Sequence, residues 1–449
     1  MKIVIAGAGE VGFHLAKLLS FESLDITLLD IDKDRLHYAE SHLDIRTIRG
    51  SCVSIALLTE ARVGKADLFI AVTSEETTNI TVAALSKQLG CKRTIARIST
   101  LEFLKKNDAV NFNSLGVDEL ISPEALAAEE IMQLLDQSAF SNSYEFEKGE
   151  LTLIGTSLGD DALIVGKSVK ESANIFPDLH FMPIALQRKG TQLTMIPRGD
   201  TLFEAGDTTF FITLKQGVDE LYKLTGKEKK SIKNVMILGG GKIGRGTANA
   251  LCNKKFNVTL IEQKKNKALD IAESHPEALV VHGDGRSVEL LSEESIDEMD
   301  AFIAVTENSE TNIMSCLMAN SKNVSKTIAL VENMDYFSLS QSIGIDTLIN
   351  KKLLTANTIF RYIRKGEVVD MTTLNNLNAE ILEFIVKPES KVTGYKIKDL
   401  NFPRTATIGG VVKSGVGKIV LGNYVIESGD RVLVCCLHRS IKKVESLFS

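Results

Sequence analysis

The sequence lacks the features that mark several large classes of protein. No apolar run approaches the roughly 18 to 20 residues that a membrane-spanning helix needs, so we expect any role at a membrane to be played from the cytoplasmic surface. The six cysteines show no CxxC or Cys/His spacing, which argues against a zinc site or a disulfide framework. A net charge of -6 argues against a nucleic-acid-binding protein, whose binding face is normally basic.

Catalytic motifs are missing as well. The chain has no GxxxxGK(S/T) phosphate loop, no GxSxG nucleophile elbow and no HExxH zinc motif. A hydride-transfer enzyme needs an acid or base close to the nicotinamide ring. The seven histidines are scattered, and the two small β-rich segments described below contain only His180 and His438. We therefore predict a protein without catalytic residues and without a metal site.

The sequence does contain a long internal repeat. Residues 66–80, ADLFIAVTSEETTNI, match residues 299–313, MDAFIAVTENSETNI, at an offset of 233. The N-terminal KIVIAGAGEVG also matches KNVMILGGGKIG, at residues 233–244. Matched motifs in one order over this length indicate that the chain arose by duplication.

Each repeat begins by alternating short apolar strands with amphipathic helices. IVIAGA and LFIAVT are typical of buried strands, and EVGFHLAKLLS places its leucines on one helical face. This alternation predicts an α/β fold, in which each repeat forms a Rossmann-like, doubly wound, mostly parallel sheet.

A smaller α+β domain is predicted after each alternating segment, because short β runs there are separated by Gly, Asp and Pro. It is repeated too, since IPRGDTLFEAGDTTFFI aligns with VLGNYVIESGDRVLV. The predicted boundaries are 1–124 and 232–352 for the large domains, 125–148 and 353–377 for connecting helices or linkers, and 149–226 and 378–449 for the small domains.

A glycine-rich loop follows the first strand. Its three glycines form GxGxxG at Gly7, Gly9 and Gly12. In such loops the first glycine permits a tight turn, the second lets the backbone approach a pyrophosphate, and the third lets helix and strand pack closely. Asp30 stands 18 residues past Gly12, where a carboxylate can bind the adenosine ribose and would repel a 2′-phosphate. NAD(H) or an adenine nucleotide is therefore favoured; the alternative is that the glycines serve only a tight turn.

The second repeat carries the same loop, at Gly239, Gly241 and Gly244. Glu262 stands 18 residues past its last glycine, so the second loop meets the same test. After the middle glycine, the first loop has Glu10 and the second has Lys242. We hypothesise that the second site accepts ADP or ATP more readily and that the first prefers a dinucleotide. The alternative is that Lys242 is a solvated residue at the start of a helix.

Other residues are expected at the carboxyl ends of the strands, beside these loops. Arg97 could pair with a phosphate or with a neighbouring subunit, although a surface ion pair explains it equally well. Ser51 and Asp284 follow the matched glycines Gly50 and Gly283 near the expected adenine end. The predicted nucleotide-binding residues are Gly7, Ala8, Gly9, Glu10, Val11, Gly12, Asp30, Ile31, Ser51, Thr73, Arg97, Gly239, Gly240, Gly241, Lys242, Ile243, Gly244, Glu262, Asp284 and Thr306.

The GxGxxG loops, the FIAVT segments and the small domains with IPRGD and GD together resemble RCK (KTN) domains followed by RCK-C domains. The tandem order is similar to that of the TrkA family of bacterial potassium uptake systems. This resemblance implies a cytoplasmic protein, peripheral on the inner face of the membrane, that binds NAD(H) and ATP or ADP. It also implies a TrkH-type or TrkG-type membrane partner and a homo-oligomeric ring, expected to be a tetramer.

Two other functions remain open from the sequence. One is a nucleotide sensor for a different transporter, because the partner is not written in the chain. The other is a soluble NAD-dependent oxidoreductase, which a catalytic acid/base pair in a substrate pocket would reveal.

Overall fold

The structure is a computed structural model, and its strands form four sheets. It describes residues 1–20, 24–104, 110–136, 142–175, 178, 180–191, 193–227, 232–333, 336, 345, 347–364, 370–374 and 377–449. Two sheets have six strands and are parallel, and two have five strands and are antiparallel. This arrangement confirms the predicted fold class.

The first parallel sheet belongs to the first repeat. Its elements are β1 (Lys2–Ala6), α1 (Glu10–Ser20), β2 (Asp25–Asp30), α2 (Lys33–His42), β3 (Arg46–Arg49), α3 (Ile55–Glu60), β4 (Leu68–Ala71), α4 (Glu76–Gln88), β5 (Arg93–Arg97), β6 (Glu119–Ile121) and α5 (Pro123–Asp136). The strand order is β3-β2-β1-β4-β5-β6, so the winding reverses between β1 and β4. Open α/β sheets bind ligands at such a reversal, beyond the carboxyl ends of the strands.

The first small domain follows α5. Its elements are β7 (Asn142–Phe146), β8 (Leu151–Ser157), α6 (Val169–Ala173), β9 (Phe181–Gln187), β10 (Thr194–Met195), β11 (Thr208–Thr213) and α7 (Val218–Leu224). The strand order is β10-β9-β11-β8-β7. All six residues of β8 that precede Ser157 are buried, because one face packs on α7 and the other on the second small domain.

The second repeat copies this plan. Its parallel domain comprises β12 (Asn234–Leu238), α8 (Lys242–Asn253), β13 (Asn257–Glu262), α9 (Lys265–Ser274), β14 (Leu279–His282), α10 (Val288–Glu293), β15 (Ala301–Ala304), α11 (Ser309–Ser321), β16 (Lys326–Leu330), β17 (Thr347–Ile349) and α12 (Lys351–Arg364). The order β14-β13-β12-β15-β16-β17 is that of the first repeat. The sequence repeat is therefore also a repeat of the fold.

The second small domain ends the chain. It contains β18 (Asp370–Thr373), β19 (Ala379–Ile385), β20 (Ala406–Lys413), β21 (Val416–Lys418), β22 (Arg431–Leu437) and α13 (Ile441–Phe448), with the strand order β18-β19-β22-β20-β21. The two small domains pack on each other. Arg198 Nη2 donates to the carbonyl oxygen of Arg404 at 2.6 Å, and the Gly417 N–H donates to Glu150 Oε2 at 2.9 Å.

The helices that follow the two parallel sheets each cross to the other repeat. In α5, Ala127 and Ile131 lie in the apolar core of the second parallel domain. In α12, Ile359 and Phe360 lie in the core of the first, where α12 packs along α1. An amphipathic helix must bury its apolar face, and here each repeat covers the face that its counterpart supplies.

The lysine-rich segment after α7, at residues 225–233, lies partly outside the described residues. Within the described part of the chain, no helix is both long and apolar enough to cross a bilayer.

Candidate nucleotide-binding site

Two glycines of the first loop occupy positions where a side chain would not fit the backbone. Gly7 adopts φ +108°, a backbone conformation that side chains rarely allow. A Cβ on Gly12 would lie 1.8 Å from the carbonyl oxygen of Gly7, so α1 can approach the loop only without that atom. Gly9 differs, because a Cβ there would meet nothing closer than Arg35 Nη1 at 3.9 Å. Gly9 therefore presents bare backbone to an open cleft.

Asp30 fixes the loop to the end of β2. Its Oδ2 accepts from the Ala8 N–H at 2.6 Å, and its Oδ1 accepts from the Asp32 N–H at 2.9 Å. A carboxylate has about four lone-pair sites, so each oxygen keeps capacity for a ribose hydroxyl. The carboxylate that the sequence indicates is thus hydrogen-bonded to the glycine loop itself.

A cleft of about 530 Å³ lies above this loop, which is within the usual size range of small-molecule sites. Of the residues predicted for the first site, it is lined by Gly7, Gly9, Glu10, Val11, Asp30, Ile31, Ser51, Thr73 and Arg97. Gly50 lines it too. Ala8 and Gly12 do not line the cleft, because both are buried within the turn. Further lining residues include Arg35, Cys52, Thr78 and Pro123.

The second repeat supplies one wall of this cleft, which sequence reasoning missed. Glu332, Lys351 and Lys352 line it beside the first glycine loop. Lys351 Nζ lies 2.5 Å from Glu332 Oε1, and Lys352 pairs with both Glu332, at 3.4 Å, and Glu10. Burial lowers the pKa of Lys352. The first cleft is therefore closed by residues more than 300 positions away in sequence.

Matched asparagines join the strand ends in both repeats. Asn79 Nδ2 donates to the carbonyl oxygens of Thr73, at 3.1 Å, and Arg97, at 2.9 Å, while its Oδ1 accepts from the Thr73 N–H. Asn312 makes the same bonds to Thr306 and Leu330 in the second repeat. The TNI tripeptide, identical in the two repeats, is the sequence feature that could have indicated this role of the asparagine. The feature becomes visible only when the two repeats are compared.

The second glycine loop has the same backbone. Gly239 adopts φ +110°, and a Cβ on Gly244 would lie 1.9 Å from the Gly239 carbonyl oxygen. A Cβ on Gly241 would meet no atom within 4 Å, so Gly241 matches Gly9. Gly240 and Ile243 lie inside the loop: both are buried, and Ile243 belongs to the apolar core.

Glu262 is more enclosed than Asp30, with 7% of the residue exposed. It accepts from the Gly240 N–H at 3.1 Å and the Lys264 N–H at 2.9 Å, and it pairs with Lys267 Nζ at 2.9 Å. Burial opposes ionisation, but the hydrogen bonds and the charge of Lys267 outweigh it and lower the pKa of Glu262.

The remaining residues predicted for the second site lie at this loop or at the ends of neighbouring strands. Lys242 begins α8, and its charge reaches Glu76 of the first repeat. Hydrogen bonds from Thr100 and Ser99 lower the pKa of Glu76, and Lys242 adds to this effect. Asp284 follows β14 and pairs with Arg286 at 2.7 Å. Thr306 is held by Asn312, beside Gly239.

Solved structures with the same fold include an RCK domain. The chain superposes on the crystal structure of the GsuK RCK domain with a TM-score of 0.61 and 16% identity, covering 100% of this chain and 94% of that one. It is similar to the GsuK channel bound to NAD, with a TM-score of 0.60, 16% identity, and coverage of 100% and 78%. For GsuK bound to ADP the TM-score is 0.51, the identity 14%, and the coverage 82% and 70%.

Curated relatives match over the whole length. The Trk system potassium uptake protein TrkA of Halomonas elongata is 32% identical, over 100% of this chain and 98% of that protein. The protein of the same name from Vibrio alginolyticus is 31% identical, with the same coverage.

Family models divide the chain in the same way as its fold. The TrkA-N domain matches residues 3–123 and 235–351, and the TrkA-C domain matches residues 156–226 and 381–449. The chain therefore belongs to the TrkA family, as a tandem of two TrkA-N and two TrkA-C domains.

Proposed function

We propose that this chain is a regulatory subunit that binds nucleotides and controls potassium uptake through a membrane protein. The observation that carries the proposal is the first cleft, whose walls come from both repeats. A ligand there touches two packed units, so its binding energy can favour one arrangement of the repeats over another. The potassium uptake named for the relatives supports the choice of transported ion.

The ligands that we propose are NAD(H) and ATP or ADP. The open backbone at Gly9, the carboxylate of Asp30 and the cleft volume fit an adenine nucleotide with its phosphates at the start of α1. The NAD and ADP named for the GsuK structures support the same choice. In the second site, Glu262 and the open Gly241 would take the roles of Asp30 and Gly9.

The pairing of Glu10 bears on the preference of the first site. The sequence, with Glu10 in the first loop and Lys242 in the second, predicts that the first site prefers a dinucleotide. Because Glu10 is paired with Lys352, its charge is compensated in this arrangement, and the preference depends on that pair. We also propose the domain boundaries that the sequence predicts.

We further propose that the protein works as a homo-oligomeric ring, a tetramer, on the cytoplasmic face of the membrane beneath a TrkH-type or TrkG-type subunit. In this role it has no catalytic activity. The nucleotides act only by differential binding, and a coupling of about 1 to 3 kcal/mol is typical of such regulation.

Reconstituted potassium flux tests the proposal. A membrane potassium transporter that co-purifies with the chain is placed in vesicles, and flux is measured with NADH, ATP or ADP. The response of the flux to nucleotides should be lost in the double variant Gly9→Asp/Gly241→Asp. The backbone has room for a Cβ at both glycines, and each added carboxylate would repel the phosphates of the ligand. Flux that ignores nucleotides, or NADH turnover by the chain alone, would contradict the proposal.

A further inference from the structure

The ion pair between Glu10 and Lys352 joins the two repeats at the mouth of the first cleft. Glu10 is the first residue of α1, and Lys352 is the second residue of α12. The start of α1 is where an anionic ligand gains most from free N–H groups and the helix dipole. Lys352 therefore holds its ammonium group beside the position that suits a phosphate.

The partners of Lys352 differ in how firmly they are held. Glu332 already has a cation, because Lys351 Nζ lies 2.5 Å from Glu332 Oε1, and Lys352 is further away, at 3.4 Å. Glu10 is the closer partner of Lys352, yet its side chain is 71% exposed, whereas that of Lys352 is 17% exposed. An enclosed cation paired with an exposed carboxylate can change partner, since the carboxylate can return to water.

The second repeat shows the opposite arrangement of charge. At the offset of 228 that relates Gly116 to Gly344, Lys352 corresponds to Glu124. At the offset of 232 that relates Gly9 to Gly241, Glu10 corresponds to Lys242. The second loop thus carries its own cation, whose charge acts on the Glu76 carboxylate of the other repeat. The first loop carries a carboxylate and receives its cation from the other repeat.

We propose that Lys352 is the specificity-determining residue of the first cleft. Its ammonium group leaves Glu10 and pairs with a phosphate oxygen of the bound nucleotide, so binding depends on the charge of the phosphates. Glu10 then acts as an internal competitor of the ligand for the same ammonium group. The proposal rests on the proposed function, because it needs a nucleotide in this cleft.

The exchange also connects the cleft to a distant domain. Lys352 lies at the start of α12, and Ile359 and Phe360 of that helix share an apolar core with Leu382 and Phe384 of the second small domain. A change of partner at Lys352 therefore acts on a helix that is packed against that domain.

Calorimetry on the full-length protein tests this inference. The background is Gly241→Asp, which blocks the second site, and AMP, ADP and ATP are titrated at one salt concentration. We expect Lys352→Gln to weaken ADP and ATP binding about tenfold, and AMP binding less, because a charge-assisted hydrogen bond is lost. We expect Glu10→Gln to strengthen ADP and ATP binding, and the double variant to bind like Lys352→Gln alone.

Lys92→Gln is the matched control. Lys92 Nζ pairs with Asp67 at 2.7 Å, just before the amino end of β4, at the opposite edge of the sheet from the cleft. It should leave all three affinities unchanged. Thermal unfolding checks that the variants fold, and Lys352→Met replaces Lys352→Gln if the latter does not.

The outcomes separate the two proposals. If the Gly241→Asp background binds none of the three nucleotides, the nucleotide function of the first cleft fails, and this inference fails with it. If that background binds them but Lys352→Gln weakens AMP, ADP and ATP equally or not at all, only the inference is overturned. Weaker ADP binding in Glu10→Gln would also overturn it.

Discussion

Asn79 Nδ2 donates to the carbonyl oxygen of Arg97 at 2.9 Å, and this bond joins the end of β5 to α4. Asn79 is almost completely buried, and its side-chain oxygen accepts from both the N–H and the hydroxyl of Thr73. One side chain thus holds together the strand ends that line the first cleft.

Replacing Asn79 should therefore damage both stability and binding. We expect Asn79→Ala to lower the free energy of unfolding by about 2 to 4 kcal/mol, because it leaves buried backbone groups without partners. Nucleotide affinity at the first cleft should fall as well. Urea denaturation and calorimetry check this, with Asn249→Ala on the exposed surface of α8 as the control. A change of under about 0.5 kcal/mol, typical of surface substitutions, would contradict the assigned role.

The glycines of the first loop should respond differently to the same substitution. Gly12→Ala should destabilise the protein by about 2 kcal/mol or more, because its Cβ would lie 1.8 Å from the Gly7 carbonyl oxygen. Gly9→Ala should leave the melting temperature nearly unchanged and weaken nucleotide binding, since its Cβ would enter the cleft. Thermal unfolding and calorimetry on both variants check the contrast, and equal losses of stability would refute it.

The ionised state of Glu262 should contribute to stability in a pH-dependent way. Folding lowers its pKa below the ordinary value of 4.5, so the contribution is present above that value and is lost as pH falls through the folded pKa. We expect Glu262→Gln to lower the free energy of unfolding by about 1 to 2 kcal/mol at pH 7 and by less at pH 3. Urea denaturation at the two pH values measures this. Glu273→Gln, at an exposed position of α9, is the control. A cost that is independent of pH would contradict the prediction.

The crossing helices predict reciprocal effects of two core substitutions. Ile359→Ala in α12 should expose β1 and α1 of the first repeat to faster hydrogen exchange, because Ile359 is fully buried in that core. Ile131→Ala in α5 should do the same for β12 and α8 of the second repeat. Each substitution should lower the free energy of unfolding by about 2 to 5 kcal/mol. Hydrogen exchange resolved by segment checks this, and faster exchange confined to the substituted residue's own repeat would contradict it.

Much of the fold could be predicted from local patterns. The apolar runs and glycine loops indicated parallel sheets, and the structure has two, with one strand order. Asp30 and Glu262 each end the second strand of their repeat, because the spacing of 18 residues from the last loop glycine spans one helix and one strand of fixed geometry. Periodicity also indicated helices whose apolar faces need partners, but it did not identify those partners.

The sequence by itself determined the duplication, the two glycine loops and the carboxylate that holds each loop, because these depend on chain geometry over short spans. Only the tertiary structure decided which side chains face each loop. Since α5 and α12 bury their apolar faces on opposite repeats, Lys352 reaches Glu10, and Lys242 comes near Glu76. The difference between Glu10 and Lys242 is visible in the sequence. The oppositely charged side chains that face these two residues are brought there by the packing of the helices.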